Sequence, residues 1–200
     1  MSGWRPVDPA SLAALLAGWL ADVPGRVRVA LDGPPAAEPE RLAEAVLAEL
    51  APLGRAGAHV RAEHFWRDAS LRLEYGRQDL DSYRVWLDAD ALTREVLRPV
   101  VDDGRYLPSL RDPDSNRSTR EPARTLPPDG VLIVSGPLLL GRGLPLDRSV
   151  HLALSPAALG RRTPPEQAWT LPAFARSPSA DVTVKVDDPR HPAIQGLPPV

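Results

Sequence analysis

The sequence predicts an α/β fold, a three-layer sandwich built on a five-stranded, mainly parallel sheet. Five short segments read as strands, over residues 26–32, 56–62, 130–136, 149–154 and 181–186. Helical patterns or long crossovers separate them, the alternation of an open sheet wound right-handedly. The third, Gly130-Val131-Leu132-Ile133-Val134-Ser135-Gly136, is an unbroken apolar run up to its serine, as expected of a strand covered on both faces.

Taken in order, Asp8 reads as the N-cap of a first helix, with Pro9 at its first position and Leu12, Leu15, Leu16, Trp19 and Leu20 on one face. Residues 1–25 are therefore expected to form an N-terminal packing helix. The first strand alternates with period two and runs into the turn Gly33-Pro34-Pro35. A helix follows from Pro39, carrying Leu42, Ala43, Val46, Leu47 and Leu50 at helical spacing until Pro52 and Gly54 stop it. The second strand ends in Glu63-His64-Phe65-Trp66. After the polar, arginine-rich residues 67–87, Asp88 caps a helix that Pro99 is expected to end. Residues 105–128 are the most polar segment and read as an insertion of loop with short strands. The last two strands flank Arg161-Arg162 and a proline-bearing stretch with Trp169 and Phe174. No internal repeat is present, and 200 residues suit a single domain, 1–200.

Composition excludes several classes. With 24 basic against 26 acidic residues, charges of both signs are spread along the chain, unlike the clustered basic surface of a nucleic-acid-coating protein. No cysteine is present, which excludes a disulfide framework, a thiol nucleophile and cysteine-ligated metals. The histidines show no ligand spacing, so no metal site is expected. No apolar run approaches the roughly 20 residues of a membrane helix, and the N-terminus lacks the order of a signal peptide; a cytoplasmic protein is expected, with neither a membrane nor a nucleic acid as partner. The wealth of Ala, Arg, Pro and Leu is that of a GC-rich bacterial coding sequence. Of the 24 basic residues 23 are arginine, and Lys185 is the one lysine.

That lysine count bears on the first strand–loop–helix unit, the place of the phosphate-binding loop in nucleotide-binding α/β folds. Such a loop reads G-x-x-x-x-G-K and then Ser or Thr. Its glycines shape an anion-binding nest, its lysine reaches the β/γ-phosphates and its hydroxyl ligates magnesium. Here the register from Gly33 places Glu38 at the second glycine, Pro39 at the lysine and Glu40 at the hydroxyl residue.

Four landmarks give the chain a resemblance from roughly Arg26 to Ile194. They are Val29-Ala30-Leu31-Asp32-Gly33 with its helix, Glu63-His64-Phe65, Val131 to Leu140, and Ala180 to Asp187. Together they resemble the bacterial uridine kinase-like proteins of the P-loop nucleoside kinase superfamily. The resemblance implies the nucleoside kinase type of P-loop NTPase fold. It implies that Glu63 stands where the family has the aspartate that accepts the proton of the nucleoside 5′-hydroxyl, and that Ser135 stands where the family has an acid near the magnesium. His64, Phe65, Tyr83 and Arg84 then fall in the nucleoside cleft. Arg161 and Arg162 match the arginine-bearing lid, here shortened by Pro164-Pro165. Asp32, Gly33, Glu38, Pro39, Glu40 and Arg41 are the relic of the phosphate loop.

Magnitudes weigh against ATP in that loop. A like-charge contact at about 4 Å costs roughly 4 kcal/mol at an effective dielectric near 20, and a micromolar site is worth only about 8 kcal/mol. Two glutamates, a missing lysine and prolines that remove N–H donors erase such a site. Arg41, one turn into the helix, is the one candidate substitute for the lysine. Elsewhere simpler readings prevail. His59, His151 and His191 read as structural or solvated. Arg67, Arg72, Arg77 and Arg84, interleaved with acids, read as a solvated ion-paired face. Trp66, Trp86, Trp169 and Phe174 read as packing residues before cleft residues.

Three functions remain. The preferred one is a uridine kinase-like protein that has lost the phosphate-binding Gly, Lys and Ser/Thr. It would be a catalytically inactive binding or regulatory module with a nucleoside or small molecule in its cleft and no cofactor. The alternative is an active ATP- and Mg-dependent nucleoside (uridine) kinase with an aberrant loop, Glu63 serving as base and Arg41 or Arg162 holding the phosphates. The third is a structural or oligomerisation protein without a ligand, for which a homo-oligomer is one form.

Overall fold

The computed structural model describes residues 3–197. Along the chain the elements are β1 (Arg5–Pro6), α1 (Pro9–Ala21), β2 (Val27–Asp32), α2 (Pro39–Leu50), β3 (Gly57–Arg61), α3 (Ala69–Arg72), α4 (Leu80–Tyr83), α5 (Ala89–Leu92) and α6 (Pro99–Asp102). After these come β4 (Arg105–Tyr106), β5 (Arg124–Thr125), β6 (Val131–Gly136), β7 (Arg148–Ala153), α7 (Pro156–Arg162), β8 (Val182–Lys185) and β9 (Ala193–Gln195).

The main sheet has seven strands in the order β1-β9-β8-β7-β2-β6-β3. The five strands legible in the sequence, β3-β6-β2-β7-β8, are parallel throughout. Two antiparallel strands, β9 and β1, extend the β8 edge and raise the expected five to seven. β1 is two residues long and carries Pro6 at the sheet's edge, and β9, three residues long and directly after Pro192, lies between β1 and β8; neither is long enough to leave a periodicity to read.

Each face of the sheet is covered by its own apolar layer. On one, Leu12, Leu16 and Leu20 of α1 and Val46 and Leu50 of α2 pack over Val29, Leu31, Ile133, Val150 and Leu152. On the other, Phe65, Leu92, Val96 and Leu97 pack over Ala30, Val60, Leu132 and Val134. Asp8 caps α1 as its position predicts, its carboxylate accepting the Ser11 N–H at 2.9 Å. Among the described residues no helix is long and apolar enough to cross a membrane.

Two local expectations are corrected. Pro99 does not end the helix begun at Asp88. A π-helical turn over Thr93–Leu97 absorbs one extra residue, with Arg98 N–H reaching Thr93 O at 3.0 Å, and α6 continues from Pro99. The Glu95 carbonyl, which Pro99 has no N–H to reach, accepts Leu107 N–H at 2.9 Å. Residues Ala62–Phe65 form a short 3₁₀ turn in place of an extended strand end, so Glu63 and His64 do not alternate across the sheet. Within 105–128, β4 and β5 pair antiparallel, with Tyr106 and Leu126 anchored in the second apolar layer.

Candidate functional site

The carboxyl ends of β2, β6 and β7 lie side by side, and their register sets Asp32 between Gly136 and His151. The chain leaves β2 toward β3 at one edge and leaves β7 toward β8 at the other. The winding therefore reverses between β2 and β7, and open parallel sheets bind ligands outside the strand ends at such a reversal. A cavity of about 250 Å³ opens there, walled by Asp32, His151, Leu138, Leu152, Phe174 and Arg176.

Asp32 and His151 are 3% and 6% exposed. A carboxylate this deep must be fully partnered. Its Oδ1 accepts the Leu139 N–H at 2.7 Å, and its Oδ2 accepts from His151 Nδ1 at 2.7 Å. The Leu139 amide is aimed inward because the chain turns sharply after β6, with Gly136 at φ 144° and Leu138 in the left-handed region at φ 57°. An ionised Asp32 oxygen can only accept, so the proton of this bond sits on Nδ1. His151 lines the cavity wall.

The loop from Gly33 to Arg41 largely binds itself, with Gly33 tied to the end of β6. Gly33 is required by space, since a Cβ there would stand 2.9 Å from the Leu152 Cβ. Pro34, Pro35 and Pro39 have no N–H. Those of Gly33, Ala37, Glu38 and Arg41 are spent on the carbonyls of Gly136, Pro34, Pro35 and Glu38 at 3.3, 2.8, 3.0 and 3.1 Å. Glu38 holds the left-handed conformation at φ 56°, and its carboxylate stands at the start of α2 within 3.5 Å of Arg41 Nη1 and 3.9 Å of Arg162 Nη2. Arg162 is fixed in turn by the Val186 carbonyl at 2.8 Å. The Glu40 carboxyl is raised above the usual carboxylate range, first by burial and then by the charges of Glu63 and Glu44.

Glu63 itself is tied to Arg61 at 2.5 Å. Ser135 is wholly buried and bonds His59 Nε2 across the strands at 2.7 Å, and burial lowers the His59 pKa. No carboxylate takes the place of the expected acid in this strand. Among the described residues, no three His, Asp or Glu side chains gather into a group that could hold a metal.

The remaining candidates divide. Phe65 is a core residue with no exposure, contrary to its expected place in the cleft; the 3₁₀ turn swings it into the second apolar layer. His64 is half-buried, and its carbonyl receives the Arg111 N–H at 3.0 Å. Tyr83 is buried among Trp86, Trp169 and Phe174, ring centres 5.1, 5.4 and 6.2 Å away, and burial raises its pKa. Through Phe174 this aromatic cluster reaches the cavity wall. Arg84 pairs with Asp81 at 2.9 Å, while Arg161 is exposed on α7. Arg72 departs from the expected solvated face: it is buried between the rings of Trp66 and Trp86, at 5.2 and 4.9 Å. Lys185 lies 4.4 Å over the ring of Trp4.

His151 is the site residue that sequence reading passes over. The usable signal is positional. It sits beside the apolar Val150 and Leu152 on a strand whose parallel neighbour ends in a buried aspartate, and only the strand pairing brings the two together.

No family model and no curated protein matches the chain. Solved structures do. A protein described as a possible uridine kinase from Bacillus stearothermophilus superposes with a TM-score of 0.63 at 15% identity, over 82% of this chain and 89% of that one. A protein described as a fructose transport system kinase, from Silicibacter sp. TM1040, superposes with a TM-score of 0.57 at 20% identity, over 88% and 98%. The fold is that of uridine kinase and related P-loop kinases, as the four landmarks imply.

Proposed function

We propose that this protein is a binding module on a P-loop kinase fold, holding a small molecule in the cavity beside Asp32 and His151 without using ATP. The observation that carries the reading is the Glu38 carboxylate at the start of α2, flanked by Arg41 and Arg162. A helix N-terminus is worth about 0.3–1 kcal/mol to an exposed anion, and here Glu38, which makes no side-chain bond to the helix amides, sets a carboxylate of the chain beside that position and takes up the nearby arginines.

The residues of this loop do not fit a magnesium-bound triphosphate. The amides of Ala37, Glu38 and Arg41 are turned onto the loop's own carbonyls, Glu38 and Glu40 repel phosphate, and neither lysine nor hydroxyl follows them. No phosphoryl-transfer step is therefore derived through ATP. What the fold retains at the strand ends is a walled cavity with a buried acid–imidazole pair, and this supports the binding half of the reading.

Thermal unfolding with ATP and magnesium tests it. A ligand present at about 100 times its dissociation constant adds about 2.7 kcal/mol of stability. The expected outcome is no shift with ATP–Mg. A clear shift, or phosphate transfer from ATP to uridine that disappears in Glu63→Gln, overturns the reading in favour of an active kinase.

A further inference from the structure

We propose that the groove between α1 and α2 is a second binding site, one that takes a linear aliphatic carboxylate of the fatty-acid class. Its wall shares only Leu152 with the cavity beside Asp32 and His151.

The groove holds about 650 Å³, inside the roughly 300–1,000 Å³ of small-molecule sites. Its α2 side runs from Glu38 and Arg41 through Leu42, Ala45 and Ala48 to Glu49. Positions 41, 45 and 48 follow one another at helical spacing on one face, and the rise from 38 to 49 is about 16 Å at roughly 1.5 Å per residue. The site is therefore long. Across it α1 offers Pro9, Ala10 and Ala13, and no aromatic ring among the described residues lines the groove. A wall of alanine, leucine and proline suits a saturated chain better than a flat ring.

The spare charge lies at one end. Arg41 and Arg162 meet at the Glu38 carboxylate, and at 3.5 and 3.9 Å both contacts are longer than the roughly 2.7–2.9 Å of a charge-assisted bond. Two guanidiniums loosely sharing one carboxylate leave a net positive charge. They also leave N–H donors over, since a guanidinium has five and Arg162 gives one to the Val186 carbonyl at 2.8 Å. Glu38 itself shows the kind of group this pair accepts, a carboxylate whose two oxygens match the arginine fork. Arg190, the third arginine of the wall, is held by Asp188 at 3.3 Å. At the far end of the α2 side Glu49 repels a second anion. The ligand thus carries one acidic head, at Arg41 and Arg162, and an uncharged tail between the helices.

Calorimetric titration of the full chain with butanoate, octanoate, 1-octanol and octanedioate tests the proposal, beside the variants Arg41→Gln and Ala45→Phe. Both positions are exposed, so the fold is expected to survive, with circular dichroism and the melting temperature as the check. Octanoate is expected to bind, with affinity rising about tenfold for every two methylenes from butanoate upward, as burial of an aliphatic chain produces. The alcohol, which lacks the charge, and the dicarboxylate, which carries a second one toward Glu49, should each bind at least about tenfold more weakly. Arg41→Gln should lose about tenfold or more for octanoate, the effect of removing a bond to a charged group. Ala45→Phe should fill the groove and flatten the dependence on chain length. The proposal is overturned if octanoate does not bind, if butanoate, octanol or octanedioate binds as well, or if either folded variant binds octanoate as tightly as the native chain. The cavity beside Asp32 takes no part in these titrations and ATP–Mg is absent from them, so loss of octanoate binding leaves the small-molecule reading of that cavity intact.

Discussion

Glu38 concentrates at one residue what distinguishes this loop. A non-glycine residue in the left-handed region pays about 1–2 kcal/mol, and the two ion pairs that Glu38 makes are long and half-exposed, so they repay little. Glycine would remove the steric cost and add some unfolded-state entropy, about 0.5–1 kcal/mol. Glu38→Gly is therefore expected to stabilise the protein by on the order of 0.5–1 kcal/mol, read as a higher urea midpoint at unchanged m-value. It is not expected to restore ATP binding, because Pro34, Pro35 and Pro39 still supply no amides. A midpoint lower than that of the native chain would mean that the Arg41–Glu38–Arg162 contact is worth more than its geometry suggests. The sequence showed the substitution of glycine, lysine and hydroxyl here, since the motif has fixed spacing. It could not show the arginine on α7 that closes over Glu38, because that contact depends on where α7 lands.

Between elements, the seam that builds the cavity is β2 against β7, and Asp147 sets it. Its carboxylate receives the Arg28 amide at 2.8 Å and the guanidinium at 2.9 and 2.7 Å, while its own N–H returns to the Arg28 carbonyl at 2.9 Å. Partial burial pushes the Asp147 carboxyl up, but the Arg28 bonds outweigh it and hold the group below its ordinary value. A carboxylate with a depressed folded pKa contributes stability that is whole above the unfolded value of 3.8 and lost as pH falls through the folded one. Asp147→Asn is thus expected to cost about 1–2 kcal/mol near neutrality, with the gap to the native chain closing as the pH drops below that unfolded value. A gap constant across the acid range would refute the charge-based account. The parallel strands were legible because burial writes itself into apolar runs, as in Val131 to Val134. The edge strands, the π turn and the Asp32–His151 pair were not, because each is fixed by a partner remote in sequence: Ala193 for Pro6, Leu107 for Glu95, β7 for β2.

At the scale of the whole molecule, the sheet is shared property. Val29 and Leu31 of β2 face the layer of α1 and α2, while Ala30 between them faces the layer of Leu92 and Leu97. Neither layer can open without stripping one side of the same strands, so the expectation of one domain becomes a statement about cooperativity. Leu16 and Leu97, 1% and 0% exposed, sit in opposite layers and belong to separate clusters. Truncating either to alanine is expected to cost about 2–5 kcal/mol, and because the two share no cluster the double variant should lose close to the sum. If the strands couple the layers, each variant shifts one unfolding transition, seen identically by far-ultraviolet circular dichroism and by tryptophan fluorescence. Trp19 reports the first layer, and Trp66 and Trp86 report the arginine-centred cluster beside the second. Leu16→Ala should therefore lower both signals together. A fluorescence step that stays in place while the helical signal falls would show that the α1–α2 layer unfolds on its own, and the cavity between β2 and β7 would then rest on two units rather than one.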